Sequence, residues 1–209
     1  MLLGNLHQSN VIILFSLFFG AVGFGFSITG DTQYALVSLI IATVASFFNF
    51  KFGDNFELTE EEISFALELE VLSQFVVFGM LPAGFLINIT NGSMLGLLVM
   101  TLYLLAVAIR LAHYNRAQRF QGEVMEGYTE GVPLEHSVLI IPLVSLLAYL
   151  IDQSIMQYVY IVLYILLAAA TVIRFPVPKL KSEWIWGILG VSIVVAGLLI
   201  WFGPLYPEV

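Results

Sequence analysis

Long apolar runs recur from one end of the chain to the other, parted by short polar breaks. Each is about the 17–25 residues that a helix needs to cross a bilayer. The pattern predicts seven membrane-spanning helices, over 10–28, 34–50, 64–88, 94–113, 135–151, 155–173 and 184–203. The ten-residue alternation of a membrane β-barrel is absent. The expected fold class is therefore an all-α polytopic membrane protein, a single domain over 1–209 without internal repeats or low-complexity linkers.

Composition agrees. The chain is 60% hydrophobic with 11% charged residues, where a soluble domain carries about 25%. The basic residues Lys51, Arg110, Arg116, Arg119, Arg174, Lys179 and Lys181 all fall at the ends of spans two, four and six or in the loops that follow them. Lys and Arg stay on the cytoplasmic side. The expected topology is a multi-pass protein of the cell membrane with a cytoplasmic N-terminus and an external C-terminus. "MLLGNLHQSN" lacks the basic region and small-residue cleavage site of a signal peptide, so none is expected. With no cysteine there is no disulfide and no thiolate chemistry. A net charge of −8 excludes the basic footprint of a nucleic-acid binder.

Trp184, Trp186, Trp201 and Tyr206 bracket the last span as an interfacial aromatic belt. Gly20, Gly23 and Gly25 in the first span, with Gly187, Gly190 and Gly197 in the last, offer small faces for close helix packing. "NIT" at Asn88 and "NGS" at Asn91 read as turn chemistry rather than glycosylation sites.

The acidic residues are less evenly spread. Asp54, Glu57, Glu60, Glu61, Glu62, Glu68 and Glu70 crowd between the second and third spans and into the third. Thr59 with Glu62 three residues on forms a capping box that starts a helix, and Glu60 to Glu62 lie at its positive end. Glu57 to Glu62 read as a solvated cap. Ala66, Glu70 and Gln74 recur every four residues and share one face. Glu70 falls well inside the span, where a carboxylate is costly and marks a functional site by default. Pro82 is expected to kink this helix without ending it.

These residues carry a resemblance. "ISFALELEVLSQFVVFGMLPAG" (63–84) resembles the signature helix of the CDP-alcohol phosphatidyltransferases, the phosphatidylserine synthases above all. The family motif is D-x2-D-G-x2-A-R-x8-G-x3-D-x3-D. Anchored at Gly53, this chain keeps every spacing without a gap: Asn49, Phe52 and Gly53 stand at D, D and G. Phe56 and Glu57 stand at A and R, Ala66 at the later G, and Glu70 and Gln74 at the last two aspartates. "AIRLAHYNRAQRF" (108–120), "TEGVPLEHSVLIIP" (129–142) and "IRFPVPKLK" (173–181) resemble further segments of the synthases in the same order. The resemblance covers 5–181 and implies a six-helix phosphatidyltransferase core, with 184–203 an extra C-terminal helix.

The family's four aspartates hold Mg or Mn ions on the pyrophosphate of CDP-diacylglycerol, and one carboxylate activates the acceptor alcohol. Here those positions hold Asn49, Phe52, Glu70 and Gln74. Two dications bring about +4 charge and prefer carboxylate oxygens, and this set offers one. Gln74 takes no proton, and Glu57 replaces an Arg with a charge that repels a diphosphate. The resemblance thus implies a phosphatidylserine synthase-like protein without a metal cofactor and without the family reaction. It would serve as a lipid-binding scaffold or as the partner of an active paralogue, and homodimers are common in the family. An alternative is an active transferase with a cation site rebuilt from Asp54, Glu57 and Glu70, with Glu68 as a further donor. A transporter or channel has little support, since no intramembrane charge ladder is evident.

Arg110, Arg116 and Arg119 are topology determinants and candidate ligands for a lipid or nucleotide phosphate, with Arg110 favoured because it matches a family Arg. His7, His113 and His136 are too far apart in sequence to assert a metal site. "GVP" at 131–133 reads as a turn before the fifth span rather than as a catalytic loop.

Overall fold

The computed structural model describes residues 10–52, 59–119, 128–178 and 184–206, with side chains described outside 49–52, 116–119, 128–130, 137 and 178. Among the described residues the fold is all-α apart from one short strand pair. Among the described residues, five helical segments are long and apolar enough to cross a membrane: 11–29, 60–89, 94–115, 153–172 and 184–202. Two further apolar segments, 32–48 and 134–149, are shorter.

Helix α1 (Val11–Thr29) and α2 (Thr32–Phe52) form an antiparallel hairpin across Gly30, whose φ of 92° suits a residue without Cβ. The pairing is close because α1 carries small residues. A Cβ on Gly23 would lie 2.6 Å from Leu81 Cδ1 and 2.7 Å from Ser38 Cβ. One on Gly20 would lie 2.6 Å from Val77 Cγ2. By contrast Gly25, Gly187, Gly190 and Gly197 have no neighbour within 4 Å of that position among the described residues. The two glycine groups therefore differ: Gly20 and Gly23 pack the interior, and Gly187, Gly190 and Gly197 near the C-terminus face outward.

Helix α3 (Glu60–Gln74) opens on the expected capping box. The Glu62 carboxylate accepts from the Thr59 backbone N–H at 2.9 Å, and the Glu62 N–H donates to Thr59 Oγ1 at 3.4 Å. The helix runs through a π-helical turn, Phe75–Met80, into α4 (Leu81–Ile89) without ending at Pro82. This composite is the most buried of the five long segments, and the last helix the least. Pro82 has no N–H to offer the Phe78 carbonyl four residues back. Tyr103 supplies a donor instead: its hydroxyl reaches the Phe78 oxygen at 2.6 Å. Tyr164 donates to the Pro82 oxygen at 2.7 Å.

Those tyrosines come from α5 (Met94–Arg119) and α8 (Gln153–Val172), which pack on one another. Between them lie β1 (Tyr128–Glu130), α6 (Leu134–Val138), α7 (Ile140–Ser145) and a 3₁₀ turn, Leu146–Tyr149. The expected single span over 135–151 is thus a chain of short helical pieces. Pro142 explains the break, since it cannot donate to the Val138 carbonyl and the helix is interrupted at Leu139. Strand β2 (Pro176–Pro178) follows α8 and pairs antiparallel with β1, Thr129 opposite Val177. Helix α9 (Trp184–Phe202) lies against α2 and the 3₁₀ turn through Val195 and Leu199, and leaves Trp184, Trp186 and Trp201 exposed at its two ends.

Candidate functional site

Glu70 and Gln74 sit one turn apart on α3, and the Gln74 side-chain amide donates to Glu70 Oε1 at 3.0 Å. The i, i+4 spacing that puts them on one face also lets them bond. The same nitrogen lies 3.5 Å from Oε1 of Glu135, the second residue of α6. One amide therefore bridges two carboxylates from helices far apart in sequence. Both of its N–H groups are committed to acids.

Arg110 of α5 completes the cluster. Its guanidinium donates to the Gly131 carbonyl at 3.4 Å and lies near enough to Glu135 for the two charges to attract. Gly131 has φ 70°, and its N–H bonds the Phe175 carbonyl at 2.7 Å. A Cβ there would lie 3.1 Å from the Ile173 carbonyl and 3.3 Å from Arg110 Nη1. The position needs glycine for both reasons. His136 stacks edge-on against Phe47 with ring centroids 5.1 Å apart. Its Nδ1 is buried without a hydrogen-bond partner among the described residues.

The segments 63–84, 108–120, 129–142 and 173–181 thus meet at one place, through Gln74, Arg110, Gly131 with Glu135, and Phe175. Sequence reasoning found Glu70, Gln74 and Arg110. It missed Glu135 and read Gly131 only as part of a turn. The available signal was a carboxylate and a glycine just before an apolar run, but the contacts that matter span 21 and 61 residues.

The other expected site residues are placed differently. Asn49 and Phe52 lie on the last turn of α2 with side chains outside the described set, as do those of Arg116 and Arg119 on α5. Gly53, Asp54 and Glu57 lie outside the described residues. Glu68 is exposed while Glu70, on the inward face, is partly buried. Among the described residues no three His, Asp or Glu side chains gather in a group that could hold a metal ion. Among the described residues, the ionisable groups that gather are the Glu70 and Glu135 carboxyls and the Arg110 guanidinium. Two carboxyl groups, one of them beside a guanidinium, are few donors for a pair of dications. Compared with known proteins, the chain matches no family model and no curated protein.

Proposed function

We propose that this chain is a membrane-embedded relative of the CDP-alcohol phosphatidyltransferases, nearest the phosphatidylserine synthases, that keeps their helical core without their divalent-metal chemistry. Its role is then that of a lipid-binding scaffold or the partner of an active paralogue in phospholipid synthesis. Six helical segments form the core and α9 is an addition. The N-terminus is cytoplasmic and the C-terminus external.

The observation that carries the reading is the amide bridge. At the position where the resemblance puts a metal-binding aspartate, Gln74 spends its N–H groups on Glu70 and Glu135. An amide offers a metal one neutral oxygen, and the second acid lies within the attraction of Arg110. The convergence of four separated segments on one cluster supports the family side of the proposal, because each resembles a piece of the same enzymes.

Purified full-length protein in lipid nanodiscs, given CDP-diacylglycerol, serine and Mg or Mn, tests it. The expected result is no release of CMP above a protein-free control. Turnover that requires the metal and is lost in Glu70→Ala would overturn the proposal in favour of a rebuilt cation site.

A further inference from the structure

The composite of α3, the π-helical turn and α4 changes character along its length. From Ser73 to Ile89 most residues are buried. From Glu60 to Leu72, more than three turns of α3, none is. Exposure to lipid does not account for this. A lipid-facing helix still seats one side in the bundle, as α1 does through Ile13, Ser16, Gly20, Gly23 and Ser27. Over those turns α3 has no such side.

The hydrogen bonds to other helices follow the same division. On the α4 side, Tyr103 and Tyr164 hold the Phe78 and Pro82 carbonyls at 2.6 and 2.7 Å. There is no spare room at Gly84, where a Cβ would run into Ser27 and Phe24 of α1. On the α3 side, Ser73 reaches the Ile13 carbonyl at 3.3 Å and Gln74 reaches Glu135 at 3.5 Å. Both lie beyond the usual ranges, about 2.7–3.2 Å for an N–H donor and about 2.5–3.0 Å for a hydroxyl.

Between the two halves lies the π turn, Phe75–Met80. Helices bend at prolines and π turns, where the regular hydrogen-bond ladder is interrupted, and π turns recur at functional sites. On its far side α3 keeps its shape by local means. The capping box of Thr59 and Glu62 closes its first turn, and in a bilayer its backbone groups find partners only within the helix. A bend of about 20° at Val77 moves Ile63, about 20 Å along the helix, by about 7 Å, and Gln74 by about 1.5 Å. That is enough to part a contact already at 3.5 Å.

We infer that α3 is a hinged lid on the Glu135–Arg110 pair: it pivots at the π turn, and the Gln74–Glu135 contact is the catch that holds it closed. With the lid shut, Gln74 sits between Glu70 and Glu135. With it open, Glu135 and its neighbour Arg110 face a cleft between α3 and α6. None of this rests on the family reading, and either result of a transferase assay leaves the hinge where it is.

The chain has no cysteine, so introduced cysteine pairs carry spin labels without background. Pulsed electron paramagnetic resonance of full-length protein in nanodiscs measures Ile63→Cys against Leu166→Cys. Asn91→Cys against Leu166→Cys is the reference across the seated half, and all three positions are exposed. The expected result is two Ile63–Leu166 distances, up to about 7 Å apart, and a single Asn91–Leu166 distance. Gln74→Leu removes the catch and should raise the share of the second distance at least twofold. Glu135→Ala cuts the same contact from α6 and should do likewise, with the reference distance showing that each variant is folded. A single Ile63–Leu166 distance in the parent, or a distribution that both folded variants leave unchanged, would overturn the inference.

Discussion

Tyr103 of α5 donates its hydroxyl to the backbone carbonyl of Phe78 at 2.6 Å, inside the π-helical turn that precedes Pro82. The proline removes a backbone donor and the tyrosine returns one. Both groups are fully buried or nearly so, and no water competes in a bilayer. Tyr103→Phe leaves the carbonyl without that donor at almost unchanged volume. The expected loss is about 1–2 kcal/mol of stability, read as a lower melting temperature in nanodiscs. Tyr158→Phe, on the exposed face of α8, should leave the melting temperature where it was.

Gln74→Asp restores the residue type that the resemblance expects. It also replaces an amide donor with a third carboxylate between Glu70 and Glu135. Like charges with no donor between them repel, so the variant should be less stable than the parent by about 1–3 kcal/mol. Millimolar Mn should raise its melting temperature and have no such effect on the parent, because carboxylates are what a hard dication lacks in the natural cluster. A parent and variant with identical Mn responses would contradict this.

Gly131→Ala tests the backbone side of the cluster. A left-handed φ costs a residue with a Cβ about 1–2 kcal/mol, and here the Cβ would also press on the Ile173 carbonyl and Arg110. The variant should melt lower, with faster hydrogen exchange at the Gly131 position, whose N–H bonds Phe175. Gly92→Ala makes the comparison: its φ is 64° but it has open space around it, so it pays the backbone term alone.

The two groups of glycines should part in the same way. Gly23→Ala forces a methyl against Leu81 and Ser38, an overpacking expected to cost about 1–3 kcal/mol. Gly190→Ala meets nothing among the described residues and should be neutral or slightly stabilising. If α9 forms a dimer face, Gly190→Leu should lower the oligomer fraction in cross-linking without lowering the melting temperature of the monomer.

Much of the helical layout was legible because hydrophobic length is a one-dimensional property. The span expected over 10–28 lies within a residue of Val11–Thr29, and that over 184–203 within a residue of Trp184–Phe202. The capping box of Thr59 and Glu62 is equally local and was read correctly. Where hydrogen bonding rather than hydropathy sets the outcome, the pattern misled. The run 135–151 is apolar throughout its centre, yet Pro142 breaks it into α6, α7 and a 3₁₀ turn. The site divides along the same line. The Glu70–Gln74 contact follows from a four-residue spacing, whereas Glu135 joins it across 61 positions. No periodicity carries that information.

The central claim is that this cluster has too little negative charge to hold a pair of dications, and Mn binding tests it most directly. Electron paramagnetic resonance of the purified protein in nanodiscs, titrated with Mn in the presence of CDP-diacylglycerol, counts the ions held per chain. The account predicts a titration that follows protein-free nanodiscs carrying the same lipid. Two Mn ions per chain, both lost in Glu70→Ala, would contradict it.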